Sequence, residues 1–139
     1  MADTAPASGA IYRPPAYALL EQDLKDIAIL VDDAGIPRTQ ATVLIALHRY
    51  AKGNVTSRWI ERVADLRQPE VSIAMAAFKV AGLIAVTEEK APSKGRPVAV
   101  YHVKGDIAQY VKDRISTRLA ELNKGVMAVN RIFAKEAAA

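Results

Sequence analysis

The residues of this chain that could carry out chemistry are few and widely separated. The sequence contains no cysteine, which excludes thiolate nucleophiles, disulfide bridges and thiolate zinc sites. Its two histidines, His48 and His102, lie 54 positions apart on different expected elements, so we expect no metal site. No Ser/His/Asp arrangement, paired-carboxylate site or phosphate-binding glycine loop stands out. The sequence therefore predicts a protein that is not an enzyme and needs no cofactor.

A second group of residues suits binding rather than catalysis. Glutamine can make two hydrogen bonds to an adenine edge, and arginine and lysine pair with phosphates. Three residues of these types, Arg67, Gln68 and Lys79, lie near a proline that can open a helix. The candidates in this segment are Arg67, Gln68, Pro69, Glu70, Ser72, Ile73, Ala76 and Lys79. Three more cations, Lys90, Lys94 and Arg96, lie in a loop that contains two prolines and a glycine. These are the candidate binding residues.

The composition is that of an ordinary folded domain with an uneven charge distribution. Of the 139 residues, 51% are hydrophobic and 24% are charged, which is enough for one domain with a buried core. Residues 17–35 carry five acids and one base, a net −4, so the rest of the chain contributes +8 to the overall +4. No apolar run approaches the roughly 20 residues of a membrane span, and residues 1–16 do not resemble a secretory signal. We therefore expect a cytoplasmic protein without a membrane segment.

The first half of the chain predicts an arm followed by four helices. Residues 1–16 are expected to form a flexible arm, because two adjacent prolines cannot lie inside a helix. Apolar residues then recur at helical spacing in each of the following segments. The expected helices are Tyr17 to Gly35, Pro37 to Gly53, Ser57 to Asp65, and residues 69–82. Their apolar faces include Leu20, Leu24, Ile27, Leu30 and Val31, then Val43, Leu44, Leu47 and Tyr50, then Trp59, Ile60 and Val63, and finally Val71, Met75 and Phe78.

The second half predicts a β-hairpin and a long final helix. Residues 83–87 and 98–103 have the composition of strands, and the polar segment 88–97 would connect them as a basic hairpin loop. Asp106 can cap a helix over 106–139. Seven apolar residues form a seam along it: Val111, Ile115, Leu119, Leu122, Val126, Val129 and Phe133. The seam could pack on its own domain, but a two-fold homodimer is the interpretation we favour, with the first helix contributing.

This order of elements resembles the winged helix-turn-helix of the ArsR-type regulators and of the wider MarR- and TrmB-like groups. The resemblance lies in the run from Leu66 to Phe78 and in Ala81-Gly82-Leu83-Ile84, within residues 38–103. It implies that residues 17–105 form a mainly α domain with a small β-hairpin and that helix 69–82 enters the major groove of double-stranded DNA. By position, Gln68, Pro69, Glu70 and Ser72 would lie at the groove and Arg67 at the backbone.

The sequence departs from that resemblance on the helix expected to contact DNA. Ile73 and Ala74 stand where the family often has Arg and His, and Ala76 and Ala77 replace larger polar residues. The helix therefore offers few donors to base edges. The cysteine motif of the metal-sensing ArsR members is absent, so metal-dependent regulation is not implied. The sequence does not indicate whether a small effector binds.

Two functions from different classes remain open. The first is a dimeric transcriptional regulator, with the recognition helix in the groove and the wing 88–97 on the backbone or in the minor groove. The second is a winged-helix module that binds a protein, suggested by small residues expected on the outer face: Ala74, Ala76 and Ala77. A continuous positive surface on that face would favour DNA, and a neutral apolar strip would favour a protein partner.

Overall fold

The computed structural model describes residues 19–90 and 97–138 of the chain. The helices are α1 (Glu21–Ala34), α2 (Arg38–Tyr50), α3 (Ser57–Ala64), α4 (Gln68–Val80) and α5 (Ile107–Ala138). The strands β1 (Val55–Thr56), β2 (Ile84–Lys90) and β3 (Pro97–Val103) form an antiparallel sheet in the order β1–β3–β2. This confirms the expected class, a mainly helical protein with a small β-hairpin.

The core is built around α2. Every residue from Ala41 to Leu47 is buried, and a helix buried on all sides must be covered by several neighbours. Helix α1 covers one side through Ile27, and α3 and α4 cover others through Ile60 and Phe78. The sheet adds Val55 and Ile84 to the same core. Helix α4 is therefore held on its inner side by a central helix and by the base of the sheet.

The hairpin is longer than its apolar residues alone indicated. Strands β2 and β3 pair from Ile84 with Val103 to Lys90 with Pro97. The base of the hairpin is tied to the turn after α4, because the amides of Lys104 and Gly105 both donate to the Leu83 carbonyl, at 3.0 and 3.1 Å. The hairpin thus leaves the core in a fixed direction beside α4.

Hydrogen-bonded charges join α1 to α2. Asp23, buried in the first turn of α1, accepts hydrogen bonds from the guanidinium of Arg49 and from the hydroxyl of Tyr50, both at the end of α2. Its second oxygen also accepts the Leu20 amide at 2.8 Å, which caps α1. Arg49 makes a second ion pair with Asp26, one turn along α1. The ends of the two helices are therefore fixed to each other by one polar cluster.

The cluster shifts the pKa values of its members. Burial raises the pKa of the Asp23 carboxyl, but hydrogen bonds from the Leu20 amide, the Tyr50 hydroxyl and the Arg49 guanidinium outweigh burial and leave that pKa below its ordinary value. The hydrogen bond from Arg49 is also the main cause that lowers the pKa of Asp26. The hydrogen bond to Asp23 raises the pKa of Tyr50, because the neutral phenol is the form that can donate it.

Among the residues that the structure describes, the beginning of α5 is the part of that helix that packs on the other elements. Asp106 accepts the Gln109 amide at 3.1 Å, as a helix cap does, which confirms the predicted start of this helix. The ring of Tyr110 meets Phe78 edge to face, with centroids 5.9 Å apart. Arg114 then donates to the Gly35 carbonyl at 3.2 Å, at the end of α1. Beyond this region the described side chains of α5 are exposed, apart from a half-buried alanine.

Several predicted boundaries are wrong by a few residues. Helix α2 ends at Tyr50 rather than at Gly53, because Ala51 already has an extended backbone. Helix α4 spans 68–80 instead of 69–82, and Gly82 is a turn residue with φ of 77°. The predicted loop 88–97 is shorter, because residues 88–90 continue β2 and Pro97 begins β3. The two-residue strand β1 was not predicted. Residues 1–18, which include the whole of the expected arm, lie outside the described residues.

Candidate nucleic-acid interface

Helix α3 is the short packed helix that the predicted arrangement requires. The hydroxyl of Thr56 accepts the Trp59 amide at 3.2 Å and caps the first turn of α3. Trp59, Ile60 and Val63 are all buried, which confirms the predicted apolar side. With one face seated and its start capped, α3 provides a rigid support for the turn that follows.

The turn between α3 and α4 is fixed by backbone hydrogen bonds. Asp65 adopts the left-handed conformation with φ of 56°, and the Leu66 amide donates to the Glu61 carbonyl at 3.1 Å. The Arg67 amide then donates to the Glu70 carboxylate at 2.9 Å, which is half of a capping box. Glu70 was predicted at the groove, but its carboxylate caps α4, so it positions the helix that carries the other candidates.

Helix α4 buries one side and exposes the other. Val71, Met75 and Phe78 are buried, as predicted. The candidates on the opposite side are exposed, with Arg67 beside them at the start of the helix: Gln68, Pro69, Ser72, Ile73, Ala76 and Lys79. The fold therefore brings seven of the eleven sequence candidates to one surface, and Glu70 lies half-buried beneath its edge.

The expected alanine-rich outer face is wrong in part. Ala74 is fully buried against the core, and Ala77 is half-buried. Because alanine fits both the buried and the exposed side of a helix, the sequence did not indicate which of these alanines would face the core. Of the three alanines, only Ala76 is exposed.

Cations border this surface on the described elements. Arg58 and Arg62 of α3 are exposed, as are Arg67 and Lys79 at the two ends of α4. Of the three acids in this part of the chain, Glu61 accepts a hydrogen bond from Ser57 at 2.9 Å, Glu70 caps α4, and Asp65 is exposed in the turn. The local charge is therefore weakly positive and concentrated at the ends of α4.

The wing carries the remaining candidates. Lys90 ends β2, and the placement of its side chain is not described, while Lys94 and Arg96 lie outside the described residues. Glu88 and Glu89, also on β2, are exposed. The side chains described on the wing are therefore acidic, and the predicted phosphate contacts of the wing depend on Lys90, Lys94 and Arg96.

The described residues show no feature of a metal centre. Between residues 19 and 90 and between 97 and 138, no three His, Asp or Glu side chains come together as metal ligands. His48 is exposed and His102 is half-buried on β3. None of the helices in these ranges is long and apolar enough to cross a bilayer.

The helix-turn-helix of α3 and α4, followed by a β-hairpin, defines a winged helix-turn-helix fold. A possible transcriptional regulator from Methanosarcina mazei Go1 superimposes with a TM-score of 0.54 and 8% identity, over 76% of this chain and 87% of that one. A protein from the thermoacidophilic archaeon Sulfolobus tokodaii superimposes with a TM-score of 0.53 and 17% identity, over 76% of this chain and 96% of that one. No protein-family model and no curated protein matches the sequence. At these identities the likeness establishes the fold.

Proposed function

We propose that the protein is a transcriptional regulator that binds double-stranded DNA through α4. The observation that carries this proposal is the orientation of α4, which is seated on the core through Val71, Met75 and Phe78 and presents Gln68 and Ser72 outward. A helix presented in this way by a helix-turn-helix fits the major groove. Arg67 and Lys79 lie where phosphates would flank that groove. The closer relation to ArsR-type regulators remains a prediction from the sequence resemblance.

We further propose that the regulator is a homodimer formed by α5 and α1. Leu119, Leu122, Val126, Val129 and Phe133 of the predicted seam are each more than half exposed in the single chain. Leu20, which immediately precedes α1, and Leu24 and Ile29 within α1 are also more than half exposed. A lone domain rarely exposes so many large apolar residues along two elements, and a second copy would bury them. Sedimentation should then give twice the chain mass of 15.0 kDa.

Selection of bound sequences from a random duplex library tests DNA binding. A dimer should enrich two half-sites in inverted orientation, separated by about one helical turn of 10 base pairs. Binding should weaken steeply as salt rises, because phosphate contacts release counterions. Failure to enrich any duplex at low salt would contradict the proposal.

A protein-binding function is the second candidate, and one observation favours it. The part of α4 that points directly away from the core is apolar, since Ile73 and Val80 are 67% and 90% exposed. Exposed apolar strips often mark protein contacts. This candidate predicts no duplex enrichment at any salt concentration.

A further inference from the structure

The outward side of α4 consists of two rows with different chemistry. Pro69, Ile73, Ala76 and Val80 follow at spacings of 4, 3 and 4, so they form one line along the helix, which we call the outward stripe. Gln68, Ser72 and Lys79 form a polar row beside it, and all seven residues are exposed. The line that would enter a groove first is therefore apolar, and the hydrogen-bonding side chains lie on its flank.

Few side chains on this helix can read a base edge through hydrogen bonds. Gln68 alone in these two rows can make the paired donor and acceptor contact that distinguishes adenine. Ser72 is short and can bond to several bases, and Lys79 at the far end is placed for phosphate. Ile73 and Val80 expose their side chains although α4 has a core that buries other aliphatic residues. These exposed aliphatic side chains therefore suit a ligand that offers an apolar group for them to contact.

The floor of the major groove offers such a feature at one base. Thymine carries a C5-methyl group there, and aliphatic side chains distinguish it by apolar contact. The surroundings of the outward stripe favour this ligand, because the exposed cations Arg67 and Lys79 stand at its two ends. A cationic border matches the phosphates that line a groove. Ala76, in the middle of the stripe, has a side chain small enough to let the helix approach the bases closely.

We propose that the outward stripe reads thymine C5-methyl groups, so that half-site specificity depends on methyl contacts made by Ile73 and Ala76. Ile73 follows the helix start by one turn, where recognition helices contact base edges, and Val80 extends the contact toward the helix end. This inference rests on the DNA-binding function proposed above. It predicts half-sites with thymines at fixed positions, and affinity that depends on their methyl groups.

Deoxyuridine substitution tests the inference with the full chain. Each conserved thymine of a selected duplex is replaced in turn by deoxyuridine, which removes only the methyl group and keeps every hydrogen bond. At one or more positions we expect affinity to fall about fourfold, the effect of withdrawing one methyl from an apolar contact. The same measurement with Ile73→Ala should show no further loss at the position that Ile73 contacts, as a double-mutant cycle requires for direct coupling. Ser72→Ala, on the polar row of the same helix, is the control that should keep the deoxyuridine penalty.

The possible outcomes separate this inference from the function on which it rests. Methyl reading would be overturned, and DNA binding left intact, if no deoxyuridine changed the affinity for the duplex, or if Ile73→Ala kept the full penalty at every position where the wild type shows one. Duplex binding that survives Ile73→Asp unchanged would mean that the stripe faces away from DNA, and a protein contact would then account for it. Absence of any duplex binding would remove both proposals.

Discussion

The carboxylate of Asp23 in α1 accepts a hydrogen bond from the guanidinium of Arg49 in α2, across 26 residues of sequence. Asp23 is 2% exposed, and Tyr50 and the Leu20 amide also donate to it. One buried charge thereby fixes α1, a helix proposed for dimerisation, to α2, the central helix of the core. Two consequences for stability follow from this arrangement.

Asp23→Asn should lower the free energy of unfolding by about 1–3 kcal/mol, because the buried site loses its charge-assisted hydrogen bonds. Urea denaturation measures this change. Asp32→Asn, at an exposed position of the same helix, should change stability by less than about 0.5 kcal/mol. Equal effects of the two substitutions would show that the cluster does not stabilise the fold.

The carboxylates paired with Arg49, Asp23 and Asp26, predict how stability changes at acid pH. The pKa values of Asp23 and Asp26 are lower in the folded chain than their ordinary values. At a pH between the folded and the unfolded pKa values, the unfolded chain therefore binds more protons than the folded chain. Stability is therefore fully present above the ordinary aspartate pKa and is lost as pH falls through the folded values. As the pH is lowered from 6 to 3, the urea midpoint of the wild type should decrease, and that of Asp23→Asn should decrease less. If the urea midpoints of the wild type and of Asp23→Asn decreased in parallel, Asp23 would not be a source of the pH dependence.

Replacing two glycines by alanine, Gly35 at the end of α1 and Gly125 inside α5, should have opposite effects on stability. Gly35 has φ of 67°, a left-handed conformation that strains a residue with a Cβ, so Gly35→Ala should destabilise by about 1–2 kcal/mol. Gly125 lies inside α5 with nothing within 4 Å of an added Cβ, so Gly125→Ala should stabilise by up to about 1 kcal/mol. Thermal unfolding of both variants checks the signs. A stabilising Gly35→Ala would show that α1 does not end with Gly35 in the left-handed conformation.

Sequence periodicity predicted the helices well because apolar residues recur at helical spacing in each of them, even in α5, where most of the apolar seam is exposed. Pro69 and Gly35 marked boundaries for stereochemical reasons that are local to the chain. The Asp23–Arg49 pair was missed because the partners are distant in sequence and each alone resembles a surface charge. Strand β1 was missed because its two residues pair with Tyr101 and Val100, far along the chain. Glu88 to Lys90 extend β2 without an apolar alternation that would reveal a strand.

Leu119→Glu should convert the proposed dimer to a monomer, because it places a charge in the middle of the apolar seam. Analytical ultracentrifugation gives the mass directly. Ala120→Glu is the matched control, since it adds the same charge at the next position, exposed and on the other side of α5. A monomeric wild type, or a dimer that Leu119→Glu leaves intact, would contradict the assignment of α5 to the interface.

The double substitution Lys94→Ala with Arg96→Ala tests the wing. If both cations contact phosphates, affinity should fall alike for selected and random duplexes, and the slope of log K against log salt should decrease by about 1.8. Lys124→Ala with Arg131→Ala removes the same charge from exposed positions of α5 and should leave the slope nearly unchanged. A loss restricted to the selected duplex would mean that the wing reads bases.

The most direct test of DNA binding by α4 compares Ala76→Glu with Ala120→Glu on a selected duplex by fluorescence anisotropy. Both substitutions add one negative charge at an exposed helical alanine, one on the outward stripe and one on α5. We expect Ala76→Glu to weaken binding by more than about tenfold through repulsion from the phosphates, while Ala120→Glu binds as the wild type does. Equal affinities of the two variants would contradict the account.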